Sequence, residues 1–504
     1  MNTQSNVRLN EDNLHHLPSG ISVPNYDRKK VKAGIVHVGV GGFHRSHEAY
    51  YTDAYMNQTG DLNWGICGVG LRDADRKMKS ILEQQNYLYT LIVKHPNGTI
   101  ENQVIGCMTD FLMGCDEPNS VIQKMADVDT KIVSLTITEG GYNFNPATNE
   151  FDFDNPDVIH DLANPFAPRL VFGFLTAALK LRMERGLPPF TVQSCDNIQH
   201  NGDVARKMLL AYSRKVDFEL AKWIEQEVPF PNAMVDRITP VTTPADINYL
   251  ASKMGVSDEW PVTCEPFHQW IIEDKFSVGR PQWQKVGAQF VADVTPYENM
   301  KIRLLNAGHS VLGILGSIHG FETIDESIQD PVFRQFLQLF MDNEVTPILP
   351  PVSGIDLDEY KQTLLIRFAN PNIKDHLTRI CSESASKLAT FLIPTINDNL
   401  RQEGDIQCAA LVLAAWCYYS DKQTDRHGKE ITIIDVMSQQ LHVAAAKYAV
   451  NPASFLEMTS IFGDLNKNQG FMDVYKKHLK AIYTDPNVKK HMQSIINSTA
   501  LAVS

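Results

Sequence analysis

The run Gly34-Ile35-Val36-His37-Val38 is short and rich in β-branched residues, the pattern of a strand buried on both faces. It breaks at once into Gly39-Val40-Gly41-Gly42-Phe43-His44-Arg45, and the residues through Glu48, Ala49 and Tyr50 then read as a helix. Strand, glycine turn, helix is the context that gives a dinucleotide fingerprint physical meaning. The glycines permit a tight turn and let the backbone approach a pyrophosphate, which then sits on the helix N-terminus. His44 stands where the third glycine of that fingerprint belongs, so a plain strand-to-helix turn stays open beside cofactor binding.

The pattern continues downstream. Trp64–Gly70 is a second apolar strand, ending in Leu71-Arg72-Asp73-Ala74-Asp75. In a Rossmann unit that strand end carries the acid that binds the adenosine ribose, for which Asp73 and Asp75 are both candidates. Arg72 and Arg76 beside them keep a 2′-phosphate, hence NADP, open. Lys131–Thr138 runs into Glu139-Gly140-Gly141-Tyr142, and Phe190–Cys195, beyond a helix around 170–185, runs into Asp196-Asn197. Alternating strands and helices predict a largely parallel sheet, in which ligands bind beyond the carboxyl ends of the strands. Gly39–Arg45, Asp73–Asp75, Thr138–Tyr142 and Asp196–Asn197 form the expected lip of one cleft.

From 229 to 300 prolines break up short aromatic segments, which reads as an irregular extension; residues 1–33 read as an irregular lead-in. Beyond Lys301 the pattern is helical, for example over 331–343, 406–420, 434–449 and 470–483. The expectation is therefore an α/β chain with a Rossmann-type domain and extension over 1–292, followed by a mainly α-helical domain over 293–504. Near the boundary lies Lys301-Ile302-Arg303-Leu304-Leu305-Asn306-Ala307-Gly308-His309. At about 100° per residue, Lys301, His309 and Asn306 fall at about 0°, 80° and 140°, one side of a helix. Standing alone, such a face is as readily an ordinary solvated surface.

With 43% hydrophobic and 21% charged residues, the 504-residue chain has material for more than one core. A net charge of −13 with no long basic run disfavours nucleic acid and anionic membranes as partners. No signal peptide is visible, and the longest apolar run, Cys408–Tyr419, is shorter than the roughly 20 residues of a membrane span. A cytoplasmic protein is expected. None of the eight cysteines forms a Cys-x-x-Cys pair. His44 and His47 are three apart, but no ligand set at zinc-site spacing accompanies them, so no metal is expected.

Hydride exchange between a nicotinamide and a carbon bearing oxygen needs a group to take the hydroxyl proton and donors to hold the developing alkoxide. Lys301 can be that base if desolvation or neighbouring cations lower its pKa from about 10.4. Asn306 and Asn197 can donate to the substrate oxygen, and His309 can orient substrate hydroxyls.

Four motifs in order, Gly39-x-Gly41-Gly42-Phe43-His44-Arg45, Thr136–Tyr142, Ser194-Cys195-Asp196-Asn197 and Lys301-x4-Asn306-x2-His309, closely resemble the polyol-specific long-chain dehydrogenases. The resemblance runs from about residue 30 to about 400 and includes Pro231–Arg237 and Glu265-Pro266-Phe267. It implies zinc-independent, NAD-linked interconversion of D-mannitol and D-fructose. Lys301 takes the acid/base role, Asn197 and Asn306 the oxyanion role and His309 a substrate-binding one. Gly39, Gly41, Gly42, Phe43, Arg45, Thr138 and Glu139 fall on the cofactor side. By the same resemblance Asp236, Arg379 and Lys387 bind further hydroxyls, Glu298 lines a proton path to Lys301, and Asp75 selects NAD. The residue before Asp75, acidic in some relatives, is Ala74, which leaves NADP use open. Within the class D-arabinitol, D-sorbitol or fructuronate are alternative substrates, and outside it a non-catalytic nucleotide- or sugar-binding relative. Relatives of this length are often monomers, while the sequence itself leaves the oligomeric state open.

Overall fold

Period-two burial builds the sheet on which the first half of the chain rests. In β1 (Ala33–Val38), Val36 and Val38 enter one apolar cluster while Ile35 enters another on the opposite face. β2 (Gly65–Gly70) divides in the same way, with Cys67 and Val69 to one cluster and Ile66 to the other. β3 (Met108–Met113), β4 (Ile132–Leu135) and β5 (Thr191–Ser194) complete an all-parallel sheet in the order β5-β4-β1-β2-β3. The helices Val171–Glu184 and Asn201–Val216 bury Phe172, Leu175, Leu179, Met208 and Leu209 in the first cluster. The expected Rossmann-type arrangement is what forms. The chain leaves β1 to one side and returns to β4 on the other, so the crevice lies beyond the carboxyl ends of β1 and β4.

The computed structural model describes residues 6–145 and 150–503. The chain divides into two compact units, Met1–Thr295 and Pro296–Ser504.

Two expectations for the first unit are corrected. The stretch 229–300 is less irregular than its prolines suggest: Ala233–Asp236 pairs antiparallel with Gln269–Glu273, which pairs parallel with Gln289–Val291. The prolines bound these strands, where a missing N–H costs no ladder bond. The lead-in is also pinned, through Val7–Arg8 on Val256–Ser257 and Ile21–Ser22 on Asn102–Gln103. The latter pairing belongs to a second sheet built on the hairpin Tyr89–Lys94/Ile100–Ile105. Its turn carries Asn97-Gly98, with Gly98 at φ +86°, a hairpin signal present in the sequence.

The second unit is helical. Gln407–Lys422 is apolar all round, and every residue from Cys408 to Ser420 is buried, so it forms the unit's axis. Ala307–His319, Ser438–Ala445 and Gln469–Thr484 pack on it. The helix expected over 434–449 is shorter, Ser438–Ala445. Asp435 instead takes the Ala385 and Met437 amides and the Ser384 hydroxyl, which holds the preceding chain out of helix.

Candidate active site

A cavity of about 620 Å³ opens at the crevice, lined by Gly39, Gly41, Arg72, Asp73, Asp75, Thr136, Thr138 and Gly140 among others. Gly39 has φ +94°, and a Cβ there would lie 2.1 Å from the Thr136 carbonyl oxygen, so only glycine fits. Gly42 begins a helix of only five residues, Gly42–Ser46, broken at His47 before Glu48–Thr59 continues. The turn therefore offers an anion its first amides rather than the dipole of a long helix. Asp75 is half-buried at the rim, and its Oδ2 accepts the Arg72 amide at 3.0 Å. Arg76 is held by Asp73 at 3.2 Å and by Asp116.

The remaining cofactor-side residues divide. Gly42, Phe43 and Arg45 line a neighbouring cavity of about 500 Å³, shared with Gly41, Asp75 and Trp260. Arg45 is buried, donates to the Trp260 carbonyl at 2.6 Å and lies over the Tyr89 ring. Glu139 is exposed at the start of the turn Glu139–Tyr142 and lines neither cavity. The two histidines three apart in sequence have different partners: His44 meets Glu48, whereas His47 meets the Gln269 carbonyl at 2.9 Å.

Asp196, beside Asn197, does more than its place after β5 suggests. Its carboxylate accepts the Ile137 and Thr138 amides at 3.1 and 2.8 Å and the Tyr142 hydroxyl at 2.8 Å. Thr138 has φ +61° without being glycine, a conformation that costs about 1–3 kcal/mol unless the surroundings impose it. Asp196 imposes it and so joins the Thr138 loop to the strand end bearing Asn197. Asn197 itself is exposed, and Asp236 is the buried last residue of Ala233–Asp236.

In the second unit Glu298, Lys301, Asn306 and His309 lie on one helical stretch. It runs as α-helix over Thr295–Lys301, as π-helix over Ile302–Asn306 and as α-helix again over Ala307–His319. The π-turn revises the spacing expected of a uniform α-helix. The Ala307 amide bonds to Ile302, and in an i→i+5 turn the fifth residue lies nearly above the first. Asn306 is therefore shifted around the cylinder from the position a uniform α-helix would give it. The turn is anchored on its other sides by buried Leu304 and Leu305 and by Arg303, paired with Asp398 at 2.5 Å. Glu298, Lys301 and Asn306 are 3%, 7% and 7% exposed, which removes the solvated-surface reading for this face. The Asn306 Nδ2 is buried with no hydrogen-bond partner among the described residues, a costly donor to leave unmet without a ligand. His309 is half-buried against Phe368, ring centroids 4.6 Å apart.

The two further substrate candidates come together. Lys387 donates to the carbonyls of Ile380 and Arg379 at 3.0 and 3.4 Å, and the Arg379 guanidinium is paired with Asp375. Their helices, Ser384–Phe391 and Leu377–Ile380, pack on the π-turn and on Ala307–His319 respectively.

Both units have counterparts in known proteins. The mannitol dehydrogenase Rossmann domain matches residues 33–285, and the mannitol dehydrogenase C-terminal domain matches residues 293–483. The chain belongs to the mannitol dehydrogenase family. Mannitol dehydrogenases of this kind include a mannitol 2-dehydrogenase of Aspergillus fumigatus, 44% identical over 502 residues, covering 97% of this chain and 99% of the relative. That of Emericella nidulans is 45% identical over 468 residues, 91% of this chain and 93% of the relative. Among solved structures, Pseudomonas fluorescens mannitol 2-dehydrogenase in ternary complex with NAD and D-mannitol is 44% identical with a TM-score of 0.89, covering 97% of this chain and 100% of its own. A substrate-free D-sorbitol dehydrogenase is 35% identical with a TM-score of 0.87, covering 96% and 100%. The polyol dehydrogenase class expected from the motifs is thereby borne out.

Proposed function

We propose that this mannitol dehydrogenase family member interconverts D-mannitol and D-fructose with NAD, by proton and hydride transfer that needs no metal. The observation that carries the reading is the burial of Lys301 and Asn306 on one helical stretch, with the Asn306 amide nitrogen left without a hydrogen-bond partner among the described residues. The first unit supports a dinucleotide: a cavity of suitable size at the sheet's switch point and a turn where a Cβ would strike Thr136. Asp75 on its rim favours NAD, since a carboxylate repels a 2′-phosphate, and Arg76 is already engaged by two carboxylates. When bound, NAD supplies the acceptor for the hydride that leaves carbon 2 of the polyol. The buried Lys301 is the proposed base, acting through the neutral, proton-accepting form of its amine. Lys301 takes the proton of the carbon 2 hydroxyl as the C–O single bond becomes a carbonyl. Asn306, with Asn197 from the first unit, donates to that oxygen while its charge develops. Glu298, one turn before Lys301 and equally buried, passes the proton onward. His309, Asp236, Arg379 and Lys387 hold the remaining hydroxyls.

The test is a panel of polyols and ketoses assayed by NADH and NADPH absorbance, before and after exhaustive chelation. D-mannitol and D-fructose with NAD(H) should give the highest kcat/KM, and chelation should leave it unchanged. A preference for D-sorbitol or D-arabinitol would replace the substrate. Activity lost to the chelator and restored by zinc would overturn the mechanism.

A further inference from the structure

Behind the glycine turn lies a buried polar chain to which the mechanism above gives no part. Three groups converge on one carboxylate oxygen, Glu48 Oε2: His37 Nδ1 at 2.9 Å, Ser134 Oγ at 2.9 Å and His44 Nδ1 at 3.2 Å. On its far side the His37 ring presents Nε2 to Thr136 Oγ1 at 2.9 Å, and the Thr136 hydroxyl donates to the Gly39 carbonyl at 2.7 Å. His37, His44 and Ser134 are wholly buried and Glu48 is 1% exposed.

The His37 ring also meets Ser134 Oγ at 2.8 Å through Nδ1 and the Gly39 carbonyl at 3.3 Å through Nε2, and counting hydrogens orders these bonds. Thr136 has one hydroxyl hydrogen and gives it to Gly39, so His37 Nε2 must be the donor toward Thr136. Ser134 gives its hydrogen to Glu48, so its oxygen can only accept from His37 Nδ1, 2.8 Å away, which places a hydrogen on Nδ1 as well. Both ring nitrogens of His37 then face oxygen acceptors, with the Glu48 carboxylate on one side and Thr136 on the other. Burial raises a carboxyl, yet the hydrogen bonds from His37 and His44 hold Glu48 well below the usual carboxylate range. Burial and the adjoining His37 push His44 down to about 4, so it meets Glu48 as a neutral N–H donor.

These ligand-type atoms lie within 4.8 Å of one another, as a cation site would require. The geometry favours hydrogen bonds. The His37 and His44 rings stack at 3.4 Å and 14°, so an ion shared by both would sit out of both ring planes, away from the nitrogen lone pairs. The stack also explains the altered fingerprint. His44 occupies the third-glycine position and fills, with a ring laid on His37, the space that a glycine would leave for close helix-to-strand packing.

We propose that Glu48 and His37 are positioning residues for the dinucleotide, a buried hydrogen-bonded clamp that holds the Gly39 turn and the end of β4 in their receiving shape. Gly39 and Thr136 line the 620 Å³ cavity while Glu48 and His37 do not, so the clamp acts through them. The inference rests on the cofactor reading above and adds to it the residues that pre-form the site.

The test is a fluorescence titration of NADH on the full-length chain. Binding by the wild type comes first; without it the cofactor reading itself fails. Given that binding, Glu48→Gln should weaken NADH about tenfold, the effect of one charge-assisted hydrogen bond ceasing to hold the turn. Turnover at saturating cofactor should stay within roughly threefold, because the clamp touches no substrate. Thr136→Val should weaken NADH similarly and Thr136→Ser should restore it. The double variant Glu48→Gln/Thr136→Val should be no weaker than the weaker single one, as expected of residues acting as one unit. Should Glu48→Gln fail to fold, Ser134→Ala takes its place in the same cycle. NADH affinity unchanged in Thr136→Val, or losses that simply multiply in the double variant, would overturn the clamp.

Discussion

Asp75 shows how much one side chain can be asked to do. It stands half-buried on the cavity rim and also accepts the Arg72 amide, shaping the loop as well as presenting charge. Asp75→Ala should narrow the ratio of kcat/KM for NAD over NADP, read from matched initial-rate assays; an unchanged ratio would remove it from cofactor selection. Lys301, Asn306, His309 and Asn197 are proposed from residue type and local spacing, and of these the structure buries Lys301 and Asn306 on one helical stretch. Asp196 was legible only as a residue at a strand end. Its role depends on amides of Ile137 and Thr138, brought to it by the pairing of β4 with β5, which spacing does not reveal. His37 and Glu48 are similar: the four-residue step from His44 to Glu48 was visible, but His37 joins them only once β1 and the helix pack.

At the scale of elements, the strand and glycine turn were readable because β-branched runs and positive-φ glycines have a direct steric cause. Gly39→Ala tests that cause. Its Cβ would strike the Thr136 carbonyl, and alanine is strained at φ +94°, so a loss of at least about 2 kcal/mol in stability and weakened NADH binding are expected. The π-turn at Ile302–Asn306 had no such sign in the residues, and a uniform wheel misplaced Asn306 around the cylinder. A second π-turn, Phe340–Val345, carries Glu344, whose carboxylate caps the buried helix Gln407–Lys422 through the Cys408 and Ala409 amides. Burial pushes Glu344 up to about 8, against the Ala409 amide, which lowers it, and with Asp405, which raises it. A raised carboxyl keeps its proton in the folded state while the unfolded chain loses it. Its contribution is therefore complete below about pH 4.5 and declines as pH rises toward 8, by on the order of 4 kcal/mol. Thermal unfolding of the second unit followed from pH 5 to 8 should show that decline, and Glu344→Gln should flatten it. Equal pH slopes in the two proteins would contradict the assignment.

For the whole molecule, the division into a parallel-sheet unit and a helical unit follows from where strand and helix periodicities lie along the chain, and the two family matches, 33–285 and 293–483, meet close to the same boundary. Among the described residues no helix is long and apolar enough to cross a membrane. The extension and the lead-in were under-read because their strands are two to five residues long, too short for alternation to register. The proposed reaction draws its cofactor residues from the first unit and its base, Lys301, from the second, so its decisive test is on the intact chain. That test is the pH dependence of D-mannitol oxidation at saturating NAD, measured side by side for wild type and Lys301→Ala. The wild type should rise with pH through one ionisation. The variant should lose that step together with at least about 10²-fold in kcat, the least expected of a positioned general base, while still binding NADH. Near-normal turnover with an unaltered pH profile in Lys301→Ala would contradict the account.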